Sequence, residues 1–307
     1  MPNAPRTTRL AVLALIVLAL IWSYNWIVAK SALRYIGALD FAAWRCALGA
    51  LLLLALLPLT GRSLKPPPWR PVFGVGLLQS AAMTGLSQLA LVAGGAGKTA
   101  VLVYIMPFWM MAFAALLLGE KPHRLQYAAA AIAACGLALV IQPWALQGTP
   151  LSSLLAVAGG ASWAAGAVIA KRAFRDHPID LLCLTAWSMT VGAVILSALA
   201  LATHDQPTIW SSPQLLLALA YNAVLATALA WILWLFILRS LPAAIAGLST
   251  LMIPVLSVLQ AFWLLGEYPD RLEGGGIVLI LLALALLGAA GFWQTGRAAL
   301  RRLVDRA

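Results

Sequence analysis

Charge is what this chain has least of. Of its 307 residues only 9% are charged, and nine are acidic against 20 Lys and Arg. A soluble domain carries about 25% charged residues. With 63% hydrophobic residues and a mean hydropathy of +0.96, the apolar surface cannot be hidden from water, so lipid must cover most of it. The acids are Asp40, Glu120, Asp176, Asp180, Asp205, Glu267, Asp270, Glu273 and Asp305, all at the ends of apolar runs or in loops. A carboxylate at the bilayer centre costs about 3 kcal/mol to insert and usually marks a coupling or cation site. Its absence argues against proton antiport centred on a carboxylate. No Lys or Arg is expected at mid-depth either, which disfavours phosphorylated substrates. Three cysteines, Cys46, Cys135 and Cys183, form no short spacing and leave one unpaired, so neither a disulfide framework nor a zinc site is indicated. His123, His177 and His204 stand alone in loops. No metal, cofactor or nucleophile–base constellation is expected, and hence no enzyme.

What is present is a succession of long apolar runs. Stretches of about 18 to 25 apolar residues cross a bilayer as helices. The sequence predicts an all-α, polytopic membrane protein with ten of them: 10–29, 39–59, 72–93, 99–118, 125–142, 151–170, 181–202, 215–237, 243–265 and 275–292. The first is longer than the roughly 7–15 residues of a signal-peptide core and reads as a retained helix. The net charge of +11 sits mostly in the gaps between runs, as topology determinants rather than as a nucleic-acid face. With the N-terminus inside, the inner segments hold fifteen Lys and Arg. The outer ones hold only Lys30, Arg34, Lys98 and Arg271, and Arg45 lies within a span. That bias predicts cytoplasmic termini.

One motif occurs twice, 147 residues apart: Gly119-Glu120-Lys121-Pro122-His123-Arg124-Leu125 and Gly266-Glu267-Tyr268-Pro269-Asp270-Arg271-Leu272 both read G-E-x-P-x-R-L. Pro107 matches Pro254 at the same offset, while Trp22 and Lys30 match Trp163 and Lys171 at an offset of 141. Two five-helix units follow, 1–146 and 147–307. Because five is odd, the second is expected upside down, as in transporters built from inverted repeats. By contrast, Gly94-Gly95-Ala96-Gly97-Lys98-Thr99 is only a partial phosphate-binding loop. Val92 stands where its first glycine is required, and no strand precedes it.

The doubled P-x11-G-E-x-P-x-R-L segment and the 5+5 helix arrangement resemble the drug/metabolite transporter superfamily in its EamA-type branch. Within that branch the chain is similar to the YddG-type exporters of aromatic and other apolar amino acids. The resemblance covers about residues 10–292. It implies an inner-membrane exporter of amino acids, working by alternating access without ATP hydrolysis. Efflux of drugs or other small metabolites is the alternative, with a non-transporting scaffold behind it. The partners implied are a small-molecule substrate and the lipid bilayer, with the protein a monomer.

The residues themselves point to particular places. Gly119 and Gly266 end helices, where φ > 0 is tolerated. Pro122 and Pro269 suit the first turn of the following helices, and Glu120 and Glu267 their positive dipole ends, so the motif reads as a pair of structural corners. Pro107 and Pro254 lie inside spans, are expected to kink them, and are candidate hinges. Uncharged polar and aromatic groups fill the spans, and we expect Trp22, Asn25, Gln79, Met83, Tyr104, Trp163, Tyr221, Asn222 and Ser249 to line a substrate cavity. Arg45 has two readings: snorkelling toward the outer interface and Asp40, or capture of a substrate carboxylate.

Overall fold

The computed structural model describes residues 4–94, 96–141, 150–203, 207–265, 271–272 and 274–286, and among them there is helix but no strand. Among the described residues seven helices are long and apolar enough to cross a membrane: α1 (Arg9–Ala32), α2 (Ala38–Leu59), α3 (Trp69–Val92), α4 (Thr99–Leu118), α6 (Pro150–Asp176), α7 (Leu181–Thr203) and α8 (Pro213–Ser240). Three shorter apolar helices, α5 (Arg124–Leu139), α9 (Ala243–Ser257) and α10 (Gly274–Leu286), occupy the remaining predicted positions. Gly266, Glu267 and Pro269 lie outside the described residues, as does the end of the last predicted span.

Apolar side chains face outward as well as inward. Leu59, Leu116, Leu201 and Leu217 are each at least 70% exposed, a surface that water would penalise and acyl chains would not. Inside, one core runs through α1, α2, α3, α6, α7 and α8 and takes in the inner faces of α4 and α9. A second, built on α4, α5, α9 and α10, includes Met111, Ala133, Leu248 and Ile280. Glycine lets backbones meet at the sharpest crossings, as small residues do in membranes generally. A Cβ on Gly49 of α2 would come 2.6 Å from Thr227 of α8, and one on Gly192 of α7 would come 2.4 Å from Ser80 of α3. These contacts are repeat-related, with the glycines 143 residues apart.

Backbone irregularities also come in pairs. π-Helical winding interrupts α3 at Gly76–Ala82 and α8 at Asn222–Leu229. Such winding is rare and concentrates at functional sites. Helix α4 breaks at Tyr104-Ile105, and α9 at Thr250-Leu251. Here the expectation needs correction. Pro107 does not bend a continuous helix but sits in the first turn of a new one, Met106–Leu118. Its ring nitrogen has no proton for the Val103 carbonyl one turn back, so the chain closes instead with tight bonds such as Phe108 N–H to Ile105 O at 3.0 Å. Gly160 of α6 faces the Val103 carbonyl, where a Cβ would lie 2.6 Å from the oxygen. In α9, Pro254 likewise follows the break by three residues, with Ile253 N–H donating to Thr250 O at 2.9 Å.

The corner after α4 also differs from expectation. Gly119 ends the helix in the left-handed region, φ 66°. Pro122, however, lies before the next helix rather than in its first turn. His123 takes the capping position: its ring Nδ1 accepts from Leu125 N–H at 3.4 Å, and the Gln126 side chain accepts from His123 N–H at 2.7 Å. Glu120 serves a helix start, as dipole complementarity requires, but a distant one. Its carboxylate accepts from Ala243 N–H at the head of α9, at 3.1 and 3.2 Å.

Candidate functional site

Near the middle of the molecule five aromatic side chains meet. Trp22 of α1 and Trp163 of α6 stack edge to face with centroids 5.2 Å apart. These two are sequence-equivalent in the repeats, and like residues meeting each other is the signature of a local two-fold relation. Trp231 and Trp234 of α8 close against the pair, at 5.3 Å from Trp22 and Trp163 respectively, and Tyr104 packs on Trp163 at 6.1 Å. Trp234 was not among the residues singled out from the sequence. Its indole N–H donates to Gln79 Oε1 at 3.3 Å, which ties the amide of α3 into the cluster.

The same spans hold buried polar atoms with no partner among the described residues. Trp163 Nε1, Asn25 Oδ1, Asn222 Oδ1, Ser87 Oγ and Gln88 Oε1 are buried without a hydrogen-bond partner. A buried polar atom left unpaired costs about 1–3 kcal/mol, so such a concentration within the spans calls for water or a ligand. Asn222 is oriented by its own amide, whose Nδ2 donates to Ala218 O at 3.0 Å and leaves the oxygen as a free acceptor.

The predicted lining set therefore divides. Trp22, Gln79, Tyr104 and Trp163 come together. Asn25 and Asn222 are buried with free oxygens. Tyr221 turns instead to α1, where its hydroxyl donates to Ile21 O at 2.7 Å and its ring packs on Tyr24. Met83 is half-buried on the core beside Thr84, and Ser249 is half-buried at the α9 break.

Arg45 reverses the snorkelling reading and the expectation of no cation at mid-depth. It is 7% exposed, and its side chain runs inward to α8. Nε donates to Thr227 Oγ1 at 3.2 Å and Nη2 to Ala226 O at 3.5 Å. Thr227 lies about halfway along the span Pro213–Ser240. The same Ala226 carbonyl accepts from Trp22 Nε1 at 3.1 Å, so the guanidinium and the aromatic cluster share an acceptor. Sequence position could not show this, because the acceptors belong to the π-wound stretch of another helix.

At the end of α4 lies a cavity of about 460 Å³ lined by Leu118, Glu120, Lys171, Phe174, Arg175 and Arg239. Lys171 Nζ donates to Leu238 O at 2.8 Å and also to Leu241 O, holding the end of α8 while Glu120 holds the start of α9. Lys30 performs the equivalent task in the first repeat, donating to Leu91 O at 2.8 Å and Val92 O at 3.3 Å at the end of α3. Among the described residues no cluster of His, Cys, Asp and Glu is arranged to hold a metal.

Comparison with known proteins agrees with this architecture. The profile described as EamA-like transporter family matches residues 9–142 and again 150–289. The chain is 28% identical to the uncharacterized transporter YvbV of Bacillus subtilis, over 94% of this chain and 93% of that protein. It is 28% identical to the uncharacterized inner membrane transporter YedA of Escherichia coli, covering 89% of each. It is also 28% identical to a probable amino-acid metabolite efflux pump of Salmonella typhimurium, covering 89% and 92%. One crystal structure superposes with a TM-score of 0.75 at 21% identity, covering 90% of this chain and 95% of the other, which shows a shared fold.

Proposed function

The chain belongs to the EamA-like transporter family, and from that premise we propose that it exports amino acids, aromatic and other large apolar ones foremost. It is a multi-pass membrane transporter and not an enzyme. We place it in the inner membrane as a monomer with both termini in the cytoplasm, the second repeat (147–307) inverted against the first (1–146). The observation that carries the substrate reading is the aromatic cluster of Trp22, Tyr104, Trp163, Trp231 and Trp234 with unsatisfied amide and hydroxyl groups beside it. Aromatic walls favour a flat apolar side chain, and the polar atoms suit the ends of a zwitterion. The name of the Salmonella relative, an amino-acid metabolite efflux pump, points the same way.

In this mechanism the two repeats rock about the midplane, with the breaks before Pro107 and Pro254 as flexing points, and substrate moves down its gradient. The test is uptake into proteoliposomes across a panel of amino acids, with and without a pH gradient. Saturable flux of tryptophan and phenylalanine, little changed by the pH gradient, is expected. Absence of flux for every amino acid overturns the proposal.

A further inference from the structure

We infer that Arg45 is the substrate's carboxylate-binding residue; this rests on the amino-acid reading above and adds the group that would recognise the anionic end. Three observations carry it. First, the guanidinium is buried in the membrane-spanning region with no carboxylate within ion-pairing distance among the described residues, where the ion pairs are Arg62–Asp180, Arg172–Asp176 and Arg175–Asp176. Arginine does not deprotonate in proteins, so it cannot shed this charge as a lysine can. Second, its hydrogen bonds among the described residues use Nε and one proton of Nη2, the latter at 3.5 Å. Three N–H donors remain, enough for a two-pronged grip on a carboxylate.

Third, the helix packing does not require an arginine there. The contacts Gly49–Thr227 and Gly192–Ser80 align α2 with α7 and α8 with α3. Under that alignment the counterpart of Arg45 is Ser188, whose hydroxyl donates to Thr185 O at 3.2 Å within its own helix. The second repeat makes the same close crossing with a serine. The arginine is therefore particular to the first repeat, placed where Ala226 O also receives Trp22. Asn222, five residues before Thr227 in the π-wound stretch, offers a free oxygen, as does Asn25 of α1. A zwitterion with its carboxylate on Arg45 would bring its ammonium to such acceptors and its side chain to the indoles.

The experiment compares purified wild type with Arg45→Gln and Arg45→Lys, with thermal stabilisation in detergent read for tryptophan, tryptamine (no carboxylate) and indole-3-acetate (no ammonium). Wild type should bind tryptophan about ten- to a hundredfold more tightly than tryptamine, the range of a lost charged hydrogen-bond pair. Arg45→Gln should bring that ratio near one, and Arg45→Lys should retain part of it. If Arg45→Gln does not fold, the wild-type ratio and the lysine variant decide. A wild-type ratio near one, or a ratio unchanged in either variant, overturns the inference while leaving tryptophan binding and the amino-acid reading intact. Binding of indole-3-acetate through Arg45, with no amino acid bound, supports the carboxylate site and removes the amino-acid reading. No binding of either carboxylate overturns both.

Discussion

The two repeats share their scaffold but not their chemistry. Lys30 and Lys171 hold the ends of α3 and α8, Gly49 and Gly192 allow the same crossing, and both third helices are π-wound. Both fourth helices break just before a proline. Yet α8 contributes Trp231 and Trp234 while α3 contributes Gln79, Ser80, Thr84, Ser87 and Gln88, and among the described residues only the first repeat has a buried arginine. On the proposed mechanism the difference separates moving parts from recognising ones. There, features that would let two halves move alike are duplicated, and features that would fit one asymmetric molecule are not.

Several substitutions would break or sharpen this contrast. The largest effect belongs to Trp163→Ala, which removes a fully buried member of the aromatic cluster that touches each of the other four. We expect a loss of about 3–5 kcal/mol, read by thermal unfolding in detergent, together with loss of flux. Gly49→Val and Gly192→Val should each cost about 1–3 kcal/mol through overpacking, and by similar amounts. A tolerated valine in one repeat would show that the scaffold is not equivalent. Lys171→Met and Lys30→Met strip charged donors from helix-end carbonyls, at about 1–3 kcal/mol each. The loss at Lys171 should be the larger, because Glu120 beside the same cavity would lose a cationic neighbour. His123→Ala removes a helix cap and should lower stability by only about 0.5–1 kcal/mol.

Much of the frame was legible in the sequence because lipid imposes a simple rule. Apolar runs of spanning length gave the helix positions, and the doubled motif gave the duplication. The site was legible only where residue type alone decides the outcome. Trp22, Tyr104 and Trp163 meet because large aromatics on three spans of one bundle find each other. Of the two readings of Arg45, snorkelling fails because it is a property of an isolated helix, whereas Thr227 and Ala226 are 182 and 181 residues away in sequence. Glu120 obeyed the dipole rule but at the head of α9, since the fold brings that helix start closer than its own. Pro122 lost the first turn to His123 because the Gln126 side chain completes a reciprocal cap.

Counterflow of labelled tryptophan into proteoliposomes preloaded with unlabelled tryptophan tests the central claim most directly, with wild type compared against a folded Trp163→Leu variant. The account predicts a transient accumulation of label in wild type that the variant does not produce. Counterflow of equal size in both, or none in wild type, would contradict it.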